Sequence, residues 1–159
     1  MADIHTHYLD ASALVKLLVD EDGSTAVRTY LKSHATRLVT SLCFAESLGA
    51  LKAKHTRKLL STNQYLSACE ELMAHLRNET LVVEDIGISQ RETYDEVEHY
   101  AKKHSLDISD AFQLVTLRRG LLSSLEGASR PILVTADEAL AKAAKSEGFR
   151  AWNCMHDHA

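Results

Sequence analysis

The chain has 159 residues, 45% of them hydrophobic and 25% charged, and a net charge of −4, which fits one soluble globular domain with its own core. No apolar run approaches the roughly 20 residues of a membrane span, and the start, Met1 to His7, lacks the basic and long apolar segments of a signal peptide, so the expectation is a cytoplasmic protein with no membrane partner. Three widely spaced cysteines, Cys43, Cys69 and Cys154, fit neither a disulfide framework nor a zinc pattern, and the negative charge does not advertise a nucleic-acid binder, although local charge matters more than the total.

Residues 4–9 read as a first strand. A helix follows, with Ala11, Leu14, Val15 and Leu18 at i, i+3, i+4 and i+7, and Asp20-Glu21-Asp22-Gly23 breaks it. Residues 24–34 read as a second short helix and 37–40 as a second strand. Ser41 is the expected N-cap of a helix running to about His55, with Phe44, Leu48 and Leu51 on its apolar side. Ser61 or Thr62 starts the next helix, with Tyr65, Cys69, Leu72, Met73 and Leu76 in register. Leu81-Val82-Val83 is the third strand, 88–104 and 108–119 are helices, and Gly120 to Pro131 is a loop. Ile132-Leu133-Val134 is the fourth strand, 138–147 the last helix and 149–152 the fifth strand. Strands alternating with helical patterns imply βαβ units and a parallel sheet. No repeat or linker appears, so residues 1–152 are expected to form one domain and 153–159 a frayed tail.

Asp10, Glu46, Asp110 and Asp137 each sit at, or just past, the point where an apolar run gives way to a helical pattern. With parallel strands, strand ends and helix starts share one sheet edge, where open α/β folds place their sites. Four carboxylates gathered there repel one another, and an oxygen-preferring divalent cation removes that repulsion. The layout therefore suggests a Mg²⁺- or Mn²⁺-dependent site. Each acid also has a plainer role open to it. Asp10 and Asp137 suit a helix N-cap, and Glu46 a solvated position. Asp107 is expected to cap the helix carrying Asp110, whose ionised form the helix dipole favours. Ser12 suits a cap better than a contact to a metal-bound water. Ala50, Ala53 and Arg57 share the side of Glu46 at i+4, i+7 and i+11, leaving room for a metal or a phosphate.

Lys54, Arg57 and Lys58 form one basic face on the Glu46 helix. They are candidates for RNA binding and equally suit a solvated helix end. Arg118 and Arg119 are expected only to end their helix, His104 to be a helix-end cation, and Cys43 to lie in the core. The alternating pairs His5/His7 and His156/His158 have no third ligand at a metal spacing. No Gly-rich phosphate loop or Gly-x-Ser-x-Gly elbow appears.

Tyr8-Leu9-Asp10-Ala11-Ser12-Ala13-Leu14-Val15-Lys16-Leu17, Phe44-Ala45-Glu46, Ser109-Asp110-Ala111-Phe112-Gln113-Leu114 and Val134-Thr135-Ala136-Asp137-Glu138-Ala139-Leu140, in this order, resemble the PIN domain family over residues 4 to 152. Within it, the VapC-type toxins are the nearest match. The resemblance implies an α/β/α sandwich with a central parallel sheet of about five strands flanked by helices. It also implies Mg²⁺- or Mn²⁺-dependent endoribonuclease activity, a cognate antitoxin as partner and a homodimer. By the same resemblance Asp10, Glu46, Asp110 and Asp137 are the catalytic acids. Asp10 and Asp110 would be the main metal ligands, Glu46 and Asp137 would complete the cluster directly or through water, and Thr135 matches a supporting hydroxyl. The polar first strand, the long Gly120 to Pro131 connection and the extra acid Asp107 depart from the family pattern. The rival reading is a catalytically silent RNA- or protein-binding module on the same fold. A phosphotransfer enzyme with Asp10 as nucleophile is disfavoured, because Ser12 stands where its second Asp would be.

Overall fold

The computed structural model describes residues 6–32 and 36–158. The parts of the expected first strand and second helix that fall on residues 4, 5, 33 and 34, with His5, lie outside them. In chain order the elements are β1 (Thr6–Leu9), α1 (Ala11–Leu18), α2 (Ser24–Leu31), β2 (Thr36–Thr40), α3 (Ser41–Thr56), α4 (Thr62–Arg77), β3 (Val82–Glu84), α5 (Arg91–His104), α6 (Ile108–Arg119), β4 (Ile132–Thr135), α7 (Glu138–Ser146) and β5 (Arg150–Asn153). One 3₁₀ turn, Gly127–Ser129, interrupts the connection before β4.

The sheet order is β3-β2-β1-β4-β5, and every neighbouring pair is parallel. Each return between parallel strands must be made by a crossover, here helical, so all strand C-termini lie on one edge. Residues along each strand alternate between two cores. Leu9, Val39 and Val134 pack with α1 to α4, while Tyr8, Leu38 and Leu133 pack with α5 to α7. Tyr8 lies in register with both Leu38 and Leu133, so the three form one row across the sheet facing the second core. The polar first strand fits this plan. His7 is buried with its ring edge-on to Tyr30, which stacks on Trp152.

Several local expectations shift. Thr40, the extended last residue of β2, caps α3 by accepting from Cys43 N at 3.2 Å. Ser41 instead begins the helix and donates to Asp85 at 2.8 Å. Ser61 caps α4 in a full capping box with Gln64. Arg118 and Arg119 do more than end α6, because both reach Glu96 of α5, at 3.6 and 3.0 Å. His104 of α5 contacts Glu147 at 2.6 Å. Residues 153–158 are not frayed. Asp157 accepts from Asn153 N at 2.8 Å and from Lys145 of α7 at 3.1 Å, and His158 O accepts from the Trp152 indole. Among the described residues no helix is long and apolar enough to cross a membrane.

One polar tie sets the far end of α6. Glu84, buried at the end of β3, accepts from the Tyr8 hydroxyl and from Leu121 N, just past α6. Gly120 makes this approach possible, since a Cβ there would lie 2.5 Å from Thr116 O and 2.6 Å from Glu84 Oε1. Both are shorter than any van der Waals contact, so the chain must shift to admit a methyl. Gly120→Ala is expected to lower the unfolding free energy by about 1–3 kcal/mol, measured by urea denaturation. An unchanged midpoint would remove the close-approach role of this glycine.

Candidate functional site

Asp10 continues β1 past its last residue. Its backbone N–H donates to Val134 O of β4 at 2.9 Å, which anchors it at the sheet edge. The side chain is only 5% exposed and is held from several directions. Oδ1 accepts from Ala11 N at 2.8 Å and Gln113 Nε2 at 2.9 Å. Oδ2 accepts from the Ser12 hydroxyl at 2.5 Å and the Thr135 hydroxyl at 2.8 Å. An ionised carboxylate has about four lone-pair sites, and these donors match that number. A buried charge is tolerated only with such partners.

Asp110 stands in the first turn of α6, and Asp107 caps that helix by accepting from Asp110 N at 2.8 Å. Burial, then the negative charges of Asp10, Asp107, Asp137 and Glu46, push the Asp110 carboxyl up to about 7. The other three candidate acids therefore all act on Asp110 electrostatically. The expectation that the helix dipole keeps Asp110 ionised is overturned. Burial and the neighbouring charges together outweigh the roughly 0.3–1 kcal/mol that the dipole supplies.

Glu46 is exposed on α3 and accepts from the Ser109 hydroxyl of α6 at 2.7 Å. Asp137 is exposed and caps α7 by accepting from Leu140 N at 2.8 Å. Thr135, fully buried, donates to Asp10 and accepts from Asp137 N at 2.9 Å. Ser12 is not the expected cap. Its hydroxyl bridges Asp10 and the Ala136 N–H, the latter at 2.9 Å, and so ties α1 to the end of β4. Cys43 is buried as expected, with its sulfur 3.8 Å from Asp10 Oδ1. Burial, then the Asp10 charge, pushes its thiol up, which leaves it unreactive.

Two residues join the site that sequence reasoning missed. Gln113, 2% exposed, bridges the acids, with its amide 2.9 Å from Asp10 and 3.4 Å from Asp110. Ser109 orients Glu46. The available signal was an amide inside the apolar run Ala111-Phe112-Gln113-Leu114-Val115, because a polar residue in a buried helix needs a partner.

Of the basic residues, Lys54 pairs with Glu21, which also holds Lys16 at 2.7 Å. Arg57 is the C-cap of α3 and Lys58, at φ 60°, follows it; both are exposed. Among the described residues no three His, Cys, Asp or Glu side chains are grouped to enclose a metal ion on their own. Mg²⁺ does not require that, since it usually keeps several waters and takes one or two carboxylates. The all-oxygen donor set, with the Asp110 carboxyl pushed up by burial and by the acids around it, suits a hard cation.

A fully parallel sheet covered on both faces, with acids converging beyond β1 and β4, is the architecture of an α/β protein with its site at the strand C-termini. The chain belongs to the PIN domain family, whose model matches residues 7–146. It is 45% identical over 53 residues to Ribonuclease VapC46 of Mycobacterium tuberculosis, a match covering 32% of this chain and 41% of that protein. The crystal structure of PAE2754 from Pyrobaculum aerophilum superposes with a TM-score of 0.57 at 21% identity, over 93% of this chain and 90% of that one. It supports the fold alone.

The Asp110 shift has a direction in pH. An acid whose folded pKa lies above its unfolded value of 3.8 binds its proton more tightly when folded. Its favourable contribution is thus fully present below 3.8 and lost as pH rises through about 7. Asp110→Asn, measured in EDTA, is expected to be more stable than the parent at pH 8 by about 1–3 kcal/mol, allowing for solvent screening. The two proteins should converge near pH 4. A variant that is no more stable at pH 8 would show that the acids do not repel as described.

Proposed function

We infer that this protein is a Mg²⁺- or Mn²⁺-dependent endoribonuclease that hydrolyses RNA phosphodiesters, and that it is the toxin of a VapBC-type pair. The observation that carries the reading is the Asp110 carboxyl, held at about 7 by burial and by Asp10, Asp107, Asp137 and Glu46. A fold that gathers acids at such a cost to stability has a use for a cation among them. The similarity to Ribonuclease VapC46 supports RNA as the substrate, while the cognate antitoxin, the cytoplasmic setting and the homodimer belong to the proposal through the family resemblance alone.

In this reading Asp10 and Asp110 hold the cation, and Glu46 and Asp137 complete its surroundings directly or through water. A bound divalent ion supplies Lewis-acid stabilisation of phosphate charge and a more acidic water. The chain's own residues do the rest. Thr135, Ser12 and Gln113 fix the Asp10 carboxylate in one orientation, and the Gln113 amide spans Asp10 and Asp110. Ser109 turns Glu46 toward the same edge. In-line attack by water leaves a 5′-phosphate and a 3′-hydroxyl.

The test is cleavage of a mixed RNA pool in Mg²⁺, in Mn²⁺ and in EDTA. Metal-dependent cleavage is expected, and cleavage that survives EDTA would refute the mechanism. Asp10→Asn and Asp110→Asn should each lose more than the roughly 10–100-fold that outer-shell changes cost. No cleavage in any condition would favour a silent binding module. Gln113→Ala is expected to retain the fold by circular dichroism. It should lower activity and Mn²⁺ affinity, the latter read by electron paramagnetic resonance, by about 10–100-fold. Unchanged Mn²⁺ affinity would limit Gln113 to packing.

A further inference from the structure

Beside the acids, α1 and α3 enclose an open depression of about 300 Å³. That is the lower end of the roughly 300–1,000 Å³ of small-molecule sites, a size suited to a single small unit. Ser12 and Glu46 line its end nearest the carboxylates. Ala11, Val15 and Ala50 form an apolar floor, and Lys54 and Glu21 stand at the far end. Glu46, Ala50 and Lys54 follow one another at i, i+4 and i+8, so one stripe of α3 runs from an acid to a cation over about 12 Å.

The far end is electropositive. Glu21 is bonded by both Lys16 and Lys54. Although burial raises its pKa, the two lysines together hold it below the usual carboxylate range. In that triad one carboxylate stands between two ammonium groups, of which Lys54 lines the depression and Lys16 lies behind it. Lys16 is the more enclosed, with 11% of its side chain exposed against 27% for Lys54. Lys16 can therefore satisfy Glu21 while Lys54 turns to a new anion. An apolar floor with a cation at one end suits a nucleobase and its phosphate, because a base presents a flat, weakly hydrated face and the phosphate seeks an ammonium.

We propose that this depression is a nucleotide subsite, in which the base flanking the scissile phosphate lies on Ala11, Val15 and Ala50 while its outer phosphate meets Lys54. The subsite rests on the ribonuclease reading for its place in a reaction. Its occupancy by a nucleotide is measurable without cleavage. It makes Val15 and Ala50 selectors of the base, and Lys54 a contact indifferent to sequence.

The experiment titrates the intact protein, labelled at alanine and valine methyl groups, with AMP, CMP, GMP and UMP separately, in EDTA, and follows the methyl resonances. Saturable millimolar shifts centred on Ala11, Val15 and Ala50, with different affinities among the four nucleotides, are expected. Ala50→Leu fills the floor and should weaken binding by more than about tenfold. Lys54→Gln should weaken all four nucleotides alike, by about tenfold. Absence of shifts with every nucleotide, or shifts that Ala50→Leu leaves unchanged, would overturn the subsite. Neither result bears on RNA cleavage, so failure of the subsite and failure of the nuclease reading are separately visible.

Discussion

Repulsion among carboxylates is the constraint around which this edge is built. Asp10 is buried but richly hydrogen-bonded, with each oxygen meeting two donors supplied by α1, α6 and β4. Asp110 has far less support, since Gln113 lies at 3.4 Å and is shared with Asp10. One acid is thus held by four donors, and its neighbour is pushed up to about 7. Two carboxyl groups with such different surroundings suit different tasks, a division made by neighbouring residues and not by the acids themselves.

The site straddles the two layers of the fold. Asp10 and Glu46 come from elements whose apolar faces pack on one side of the sheet, and Asp110 from a helix on the other. What keeps the two halves in register is the sheet, with β1 at its centre, and a set of polar links across its upper edge. Ser109 joins α6 to α3, Gln113 joins α6 to β1, and Ser12 joins α1 to β4. The lower end of α6 is fixed separately by the Glu84 tie to Tyr8 and Leu121. A helix held at both ends presents its first turn without slack, which a binding constellation requires.

The alternation of strands and helices was legible in the sequence because short apolar runs such as Ile132–Thr135 alternate with helical patterns, and most of the helices open on a capping side chain. Asp107 and Ser61 cap where expected. The four acids were legible because their positions repeat one local pattern, an apolar run passing into a helix. What escaped were features decided by tertiary contact. Thr40 and Ser41 are equally good caps, and only the backbone at the end of β2 selects Thr40. The role of Gln113 depends on a residue 103 positions away, and no local rule contains that information. The ionisation of Asp110 was misjudged for the same reason. The dipole of its own helix is a local property, whereas burial outweighs it first, and then charges that come mainly from other elements. Residues 153–159 were expected to fray, yet Asp157 finds both a backbone donor and Lys145.

Asp10 directly follows the first strand, but its donor Thr135 lies 125 positions later and its donor Gln113 103 positions later. Contacts of such sequence separation form only after the intervening loop has closed, and domains are completed as the chain leaves the ribosome. A growing chain that has delivered Asp10, Glu46 and even Asp110 still lacks β4, and with it the neighbour to which β1 and Asp10 are bonded. The acidic edge therefore comes into being late in synthesis, almost all at once. The assembled site exists only once β4 has emerged and paired with β1.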